Sequence, residues 1–466
     1  MNDSLVRFTL SPIPPPESFP NVKSTLISDE VMALRLQNIL TAMQQHNFDT
    51  LVIYADKEHG GNFEYLSGFI PRFEEALLVV TAQGKLTYIM GNENLKLVPH
   101  ARNPGACLHA PIFSLPNQPM DNDAPLATLL AEAGVKQAGM TGIAGWKLFT
   151  TQQNNADRFD IPAFILDEVI KAAGDRQYVT NATGLFISPQ YGVRSLNSAS
   201  EIACYEYGAN LASTRILRAL EAIDVGKSEK EIGQLLAGDG QPGNVVAIAA
   251  TGERFAHAGL YPTDKQIQRG DKFSLTVGYK GGLTSRAAYV VATEEELPAP
   301  VADWLPALAI PYYRAVTTWL EALRPGLTGG ELYQTIEAVL PKERWHWHLN
   351  PGHLVADEEW LCSPVYPDST VRLQSGMIFQ IDIIPSLPGY GGCSTEDTVA
   401  LADEALRKEL AASYPEVWQR MEIRKAYLRD RLNLRVSEDL ILLSNTVGYL
   451  RPFLLDKQRA LVRAAR

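Results

Sequence analysis

The sequence predicts an α/β (α+β) protein. An amino-terminal α/β domain over 31–190 is followed by a duplicated domain over 191–403, in which helices back a curved sheet around one central pocket. An extended arm (1–30) precedes them and a helical appendage (404–466) follows. Three observations carry this reading. A chain of 466 residues exceeds one ordinary core. Between Ser28 and Leu185 apolar residues switch repeatedly between helical and strand spacing. From Gly226 onward one unit occurs twice.

In the arm, Pro12, Pro14, Pro15, Pro16 and Pro20 disfavour helix and remove ladder donors. Val31 to His46 has apolar residues at helical spacing, and Thr50-Leu51-Val52-Ile53-Tyr54 reads as a short buried strand. Ala76 to Thr81 and Lys85 to Met90 flank Ala82-Gln83-Gly84, whose glycine suits a tight hairpin. The second domain opens at Asn197. Ser198 with Glu201, and Ser228 with Glu231, have capping-box spacing, in which the hydroxyl takes a free helix amide and the glutamate reaches back to the cap. Helices are expected over 199–222, 303–323 and 329–340. Strands are expected over 244–250, 271–277, 288–292, 353–356, 377–384 and 397–401. Glu404 to Leu432 is a charged amphipathic segment interrupted at Pro415, suited to a lid, a dimer contact or simple packing on the back of the domain.

The duplication is visible residue by residue. Gly226-Lys227-Ser228 with Glu231 recurs as Gly326-Leu327-Thr328 with Glu331, and Ala256-His257 as Gly352-His353. The strand 270–276 recurs as 376–382, and Ser285-Arg286 recurs as Thr395-Glu396. This alignment sets Thr276 against Asp382 and Arg286 against Glu396. A cavity between the halves would then hold two histidines, two carboxylates and one arginine.

Bulk properties exclude several classes. Hydrophobic residues make up 46% and charged residues 20%, as in a soluble globular protein. A net charge of -11 without a basic run argues against nucleic-acid partners. Cys107, Cys204, Cys362 and Cys393 are widely spaced, which suits a reduced, cytoplasmic protein. Met1 to Pro20 lacks a basic region followed by an apolar core, so it is not read as a secretion signal, and no apolar run is long enough to span a bilayer.

The second domain resembles the pita-bread hydrolases: methionine aminopeptidases, prolidases, Xaa-Pro aminopeptidases and creatinase. The resemblance rests on Gly376-Met377-Ile378-Phe379 before an acidic residue and on Thr395-Glu396-Asp397-Thr398-Val399. It extends over about 30–403, because Asn62-Phe63-Glu64-Tyr65-Leu66-Ser67-Gly68-Phe69 is similar to the amino-terminal domain of creatinase and the Xaa-Pro enzymes. It implies a pseudo-two-fold pita-bread domain with a curved antiparallel sheet, a small-molecule substrate and a homodimer. In metal-dependent members, two aspartates of the first repeat, a histidine and two glutamates hold two divalent ions. By position His353 matches the histidine, Asp382 the first glutamate and Glu396 the last. Thr276 and Arg286 stand at the two aspartates. His257 matches a substrate-side histidine, and Trp360 stands where another histidine is expected.

Replacing two aspartates by a threonine and a guanidinium changes the local charge by about three units. A permanent cation roughly 4 Å from a metal costs several kcal/mol at an effective dielectric near 20. A dinuclear centre is therefore not expected, and no cofactor is assigned. One divalent ion on His353, Asp382 and Glu396 is the alternative. The leading expectation is a creatinase-like hydrolase of a C–N bond in a small polar substrate. In it His257, Glu396 and Asp382 are catalytic, while Arg286, Thr276, His353 and Trp360 bind substrate. Two alternatives stay open: a one-ion Xaa-Pro aminopeptidase or prolidase, and a non-catalytic binding protein. His346 and His348, alternating with Trp345 and Trp347, line a pocket mouth or simply alternate in and out of a core. Cys362 and Cys393 are read as small buried hydrophobes.

Overall fold

A computed structural model describes residues 7–121, 123–151, 154–257 and 261–464. The first six residues of the arm, and Ala258 and Gly259 after His257, lie outside the described residues. The chain divides into two compact units. One is Ile27–Ser195; the other is Leu196–Arg466 together with the residues before Ile27.

The first unit is built on a six-stranded mixed sheet. Its order is Ala106–His109, Leu86–Met90, Ala76–Thr81, Thr50–Ala55, Thr141–Ala144, Val179–Asn181. Its three consecutive strands from Thr50 to Met90 pair antiparallel, and the flanking pairs are parallel. The tight hairpin forms at Gly84, whose φ of 81° favours a residue without Cβ. Strands Thr50–Ala55 and Ala76–Thr81 are buried throughout, in keeping with their continuous apolar runs. Val52, Leu77, Val79 and Ile89 pack with Leu130, Ile165 and Val169 of helices Leu126–Ala133 and Ala163–Ala173. The segment Asn62–Ser67 is helical and ends at Gly68 in the left-handed region.

The second unit carries the duplication. All three capping boxes form: Ser198 with Glu201, Ser228 with Glu231 and Thr328 with Glu331. Gly226 N donates to Ile267 O (2.9 Å) and Ile267 N to Lys227 O (2.8 Å); Gly326 N donates to Leu373 O (2.8 Å) and Leu373 N to Leu327 O (2.8 Å). Both glycines have φ of 87°. The unit holds two four-stranded antiparallel sheets. One runs Ser394–Glu396, Gly282–Tyr289, Lys272–Tyr279, Ile248–Thr251, and the other His353–Leu354, Ile378–Gln380, Thr398–Leu401, Leu440–Leu442. Asp397 links strands of the two sheets, so the first copy's sheet is completed by a strand of the second. Helix Ala199–Ala222 backs the hairpin 272–289.

Several element boundaries differ from the sequence reading. The strand expected over 377–384 pairs only from Ile378 to Gln380, so Asp382 lies just past it. The hairpin's return strand begins at Gly282, well before Ala288, because the turn at Lys280-Gly281 is tight. The carboxy-terminal region is helical over Glu404–Ser413 and Pro415–Asp430, then returns strands Leu440–Leu442 and Arg459–Arg463. The last pairs with Phe8–Pro12 of the arm. Fully buried Glu206 accepts from Arg420 (Nε, 2.9 Å) and Arg424 (Nη2, 2.6 Å), bolting helix Pro415–Asp430 to helix Ala199–Ala222. This region is thus part of the second unit.

Candidate active site

Strand register decides which side chains meet. Thr276 pairs with Ser285, and Ser285 pairs with Glu396 on its other side. Paired residues share a face, so these three side chains converge. Thr276 Oγ1 lies 2.9 Å from Ser285 Oγ, Ser394 Oγ is 3.1 Å from Ser285 Oγ, and Ser394 Oγ is 3.0 Å from Glu396 Oε1. All four residues are buried. In the other sheet Gln380 pairs with Thr398, and Ile381 N donates to Asp397 O at 3.1 Å. Continuing that register brings Asp382 opposite Glu396. Asp382 is to Glu396 as Thr276 is to Ser285.

His353 enters from the edge strand. Its Nδ1 lies 3.2 Å from Leu354 O, which makes Nδ1–H the donor and turns Nε2 inward. Nε2 is 3.2 Å from Glu359 Oε1 and 3.7 Å from Asp382 Oδ2. Glu359 arrives because the chain turns back after His353: Leu354 N donates to Cys362 O (2.7 Å) and Leu361 N to Leu354 O (2.9 Å). The same turn stacks the Trp360 ring on His353, with centroids 4.0 Å apart and planes at 21°. His353 Nε2 and Asp382 Oδ1 are buried and have no hydrogen-bond partner among the described residues.

The electrostatics follow from burial. Burial pushes the Asp382 carboxyl up to about 6, with the His353 imidazole pulling it back and Glu359 adding to the rise. Burial and then the Asp382 charge hold Glu396 well above the usual carboxylate range, against the Ser394 hydroxyl, which favours the anion. Two carboxyls that resist ionising together, beside an inward imidazole nitrogen, can accept and return a proton.

Arg286 is not in this cluster, and its assignment to substrate is corrected. It pairs with Thr395, and the sheet pleat turns it to the opposite face. There it is buried and bonds Asp397 Oδ2 (2.7 Å), Thr446 O (2.7 Å), Tyr449 O (3.0 Å) and Glu396 O (3.1 Å). The repeat alignment was off by one residue in this hairpin, and a one-residue slip exchanges the faces of a strand. Ser285 therefore stands at the position assigned to Arg286, and the argument from a guanidinium in the pocket does not hold. Thr276, Asp382, Glu396, His353 and Trp360 do come together. His257 is exposed at the end of helix Glu253–Ala256, with no side-chain partner among the described residues. His346 and His348 face outward while Trp345 and Trp347 are buried, so simple alternation accounts for them. Cys362 and Cys393 are buried and in no disulfide, and burial pushes the Cys393 thiol up.

Sequence reasoning missed three members: Ser285, Ser394 and Glu359. Ser394 lies two residues before Glu396 on one strand, so period-two reasoning reaches it. Glu359 follows His353 in the acidic run Asp357-Glu358-Glu359, a signal that only the turn converts into a contact.

The residues present do not fit a dinuclear metal centre. Two dications about 4 Å apart repel by roughly 17 kcal/mol at an effective dielectric near 20, and carboxylates must offset this. Two of the five ligand positions implied by the resemblance are the neutral hydroxyls of Thr276 and Ser285. Among the described residues no group of three or more His, Cys, Asp or Glu side chains is arranged to hold a metal ion.

Residues 204–403 match the model of metallopeptidase family M24. An Xaa-Pro dipeptidase of Pyrococcus furiosus is 24% identical over 290 residues, covering 59% of this chain and 74% of the relative. A dipeptidase of Mycobacterium ulcerans superposes with a TM-score of 0.62 at 20% identity, covering 80% of this chain and 94% of that one. A prolidase from Thermococcus sibiricus gives a TM-score of 0.62 at 19% identity, with 80% and 95% covered. These structural likenesses carry the fold.

Proposed function

We propose that this chain, whose residues 204–403 match the model of metallopeptidase family M24, hydrolyses a C–N bond in a small peptide-like substrate. The reaction is assigned to the cluster of His353, Glu359, Asp382 and Glu396. The observation that carries the reading is the pairing of two buried carboxyls with raised proton affinity beside the inward Nε2 of His353. In this scheme Asp382 takes a proton from a water molecule as its oxygen bonds to the scissile carbonyl carbon. The neutral carboxyl of Glu396 gives a proton to the departing nitrogen as the C–N bond breaks, and the proton on Asp382 then restores Glu396. Trp360 and Glu359 hold the imidazole in place. His257, exposed on its loop, is assigned the exchange of protons with solvent.

A peptide substrate is favoured over a creatinase-type one because the relatives are named dipeptidases, prolidases and Xaa-Pro peptidases. The test is turnover of Xaa-Pro dipeptides, other dipeptides and small amides by wild type and Asp382→Asn. Hydrolysis of at least one class, lost in the variant, supports the reading. Absence of any hydrolysis, or a fully active variant, contradicts it.

A second reading is a prolidase-type peptidase with one divalent ion, for which His353, Asp382 and Glu396 would have to draw together, since they do not form a ligand group as they stand. It is supported by the lone pair that His353 Nε2 turns toward two carboxylates. Such an ion supplies Lewis-acid polarisation of the scissile carbonyl. Metal analysis of protein purified without chelator separates the two: one ion per chain favours the second reading, and none favours the first. Assembly as a homodimer is proposed from the resemblance alone, and light scattering reads it directly. No helix among the described residues is long and apolar enough to cross a membrane.

A further inference from the structure

We propose that Thr276, Ser285 and Ser394 form a hydroxyl chain ending on Glu396 that takes the place of an ion-binding shell, so that this site holds at most one metal ion. The three contacts of 2.9, 3.1 and 3.0 Å link Thr276, Ser285, Ser394 and Glu396 without a gap. Each hydroxyl has one proton to give and lone pairs to receive one. Thr276 donates to Ser285, and the Ser394 hydroxyl is the donor toward both Ser285 and Glu396.

This arrangement gives the Thr276 and Ser394 protons acceptors inside a region where an unmade hydrogen bond is costly. It also turns the hydroxyl lone pairs toward one another rather than toward a common point, whereas a cation needs several oxygens aimed at one centre. A serine or threonine hydroxyl is neutral, so the first copy adds no charge to offset a second dication.

The cross-strand register makes the converse testable. Residues 276 and 285 share a face with Glu396, and Asp382 lies opposite Glu396. Carboxylates at 276 and 285 would therefore face Asp382, Glu396 and His353 across one space. The inference concerns ion capacity alone and stands whether or not the chain cleaves a peptide.

The experiment is titration of chelator-treated, dialysed protein with MnCl2 by calorimetry, with metal analysis after gel filtration. Wild type, Ser285→Asp and the double variant Thr276→Asp/Ser285→Asp are compared. Wild type is expected to take up no more than one Mn2+ per chain. The double variant is expected to take up two, the first at least tenfold more tightly than in wild type, and Ser285→Asp alone to tighten the first ion. Two ions on wild type overturn the proposal. So does a folded double variant, verified by its far-ultraviolet dichroism, that binds Mn2+ no better than wild type. Should the double variant not fold, Ser285→Asp and the wild-type stoichiometry decide in the same way.

Discussion

In the first copy of the repeat the paired strands set Thr276 opposite Ser285, and in the second the same geometry sets Asp382 opposite Glu396. The backbone frames correspond down to individual hydrogen bonds: Gly226 and Gly326 share a φ of 87°, and each donates to the segment that returns beside it, Gly226 to Ile267 and Gly326 to Leu373. The side chains differ in charge. The first copy contributes neutral, mutually hydrogen-bonded hydroxyls; the second contributes two carboxyls and an imidazole, of which Asp382 Oδ1 and His353 Nε2 are buried without a hydrogen-bond partner among the described residues. Backbone pseudo-symmetry is maintained by turns, caps and register, none of which constrains the pocket-facing residue. Charge can therefore be lost from one copy without loss of the fold.

If chemistry resides in the second copy, substitutions there dominate. His353→Ala is expected to lower turnover by about 10^3-fold or more, whereas Ser285→Ala lowers it by less than about tenfold. Equal losses in steady-state kcat would erase the distinction between the copies. Next in size is Arg286, which serves packing. Arg286→Met leaves Asp397 buried without its cation and is expected to cost about 3–5 kcal/mol in urea unfolding. A loss under 1 kcal/mol would show that Asp397 does not depend on it.

The pH dependence sharpens the contrast. Burial raises Asp382 to about 6, so the folded state holds its proton more tightly than the unfolded chain does. Wild type therefore loses stability as pH rises from 4 through about 6. Asp382→Asn, which has no such group, is expected to gain about 2 kcal/mol relative to wild type between pH 4 and pH 8. Chemical denaturation at the two pH values reads this directly, and a constant difference would contradict it.

The duplication was legible because glycines, capping boxes and an apolar strand recur in order, and each leaves a local signature. The second-copy site was legible for the same reason: His353, Asp382 and Glu396 sit at conspicuous places in their strands. The first-copy site was not. Ser285-Arg286 matches Thr395-Glu396 by eye, yet the pairing partner of Glu396 is set by the turn at Lys280-Gly281, which sequence similarity does not report. That slip brought in Arg286 and left out Ser285. Glu359 was missed because its approach depends on the turn after His353. The carboxy-terminal region looks like an appendage in sequence because its charged helices carry Arg420 and Arg424, whose buried partner Glu206 lies over 200 positions away.

The smallest expected effect separates the two histidines. His257 is exposed and His353 is fully buried. His257→Ala is expected to slow turnover about tenfold, with added imidazole restoring most of it in a rescue assay. No loss at all would remove His257 from the proton path.

The central claim is that the hydroxyl-bearing first copy cannot complete a two-ion centre. The most direct measurement is anomalous diffraction from crystals grown with excess MnCl2. At most one manganese peak is expected among Ser285, His353, Asp382 and Glu396; a pair of peaks about 3.5–4 Å apart there would contradict the one-ion limit.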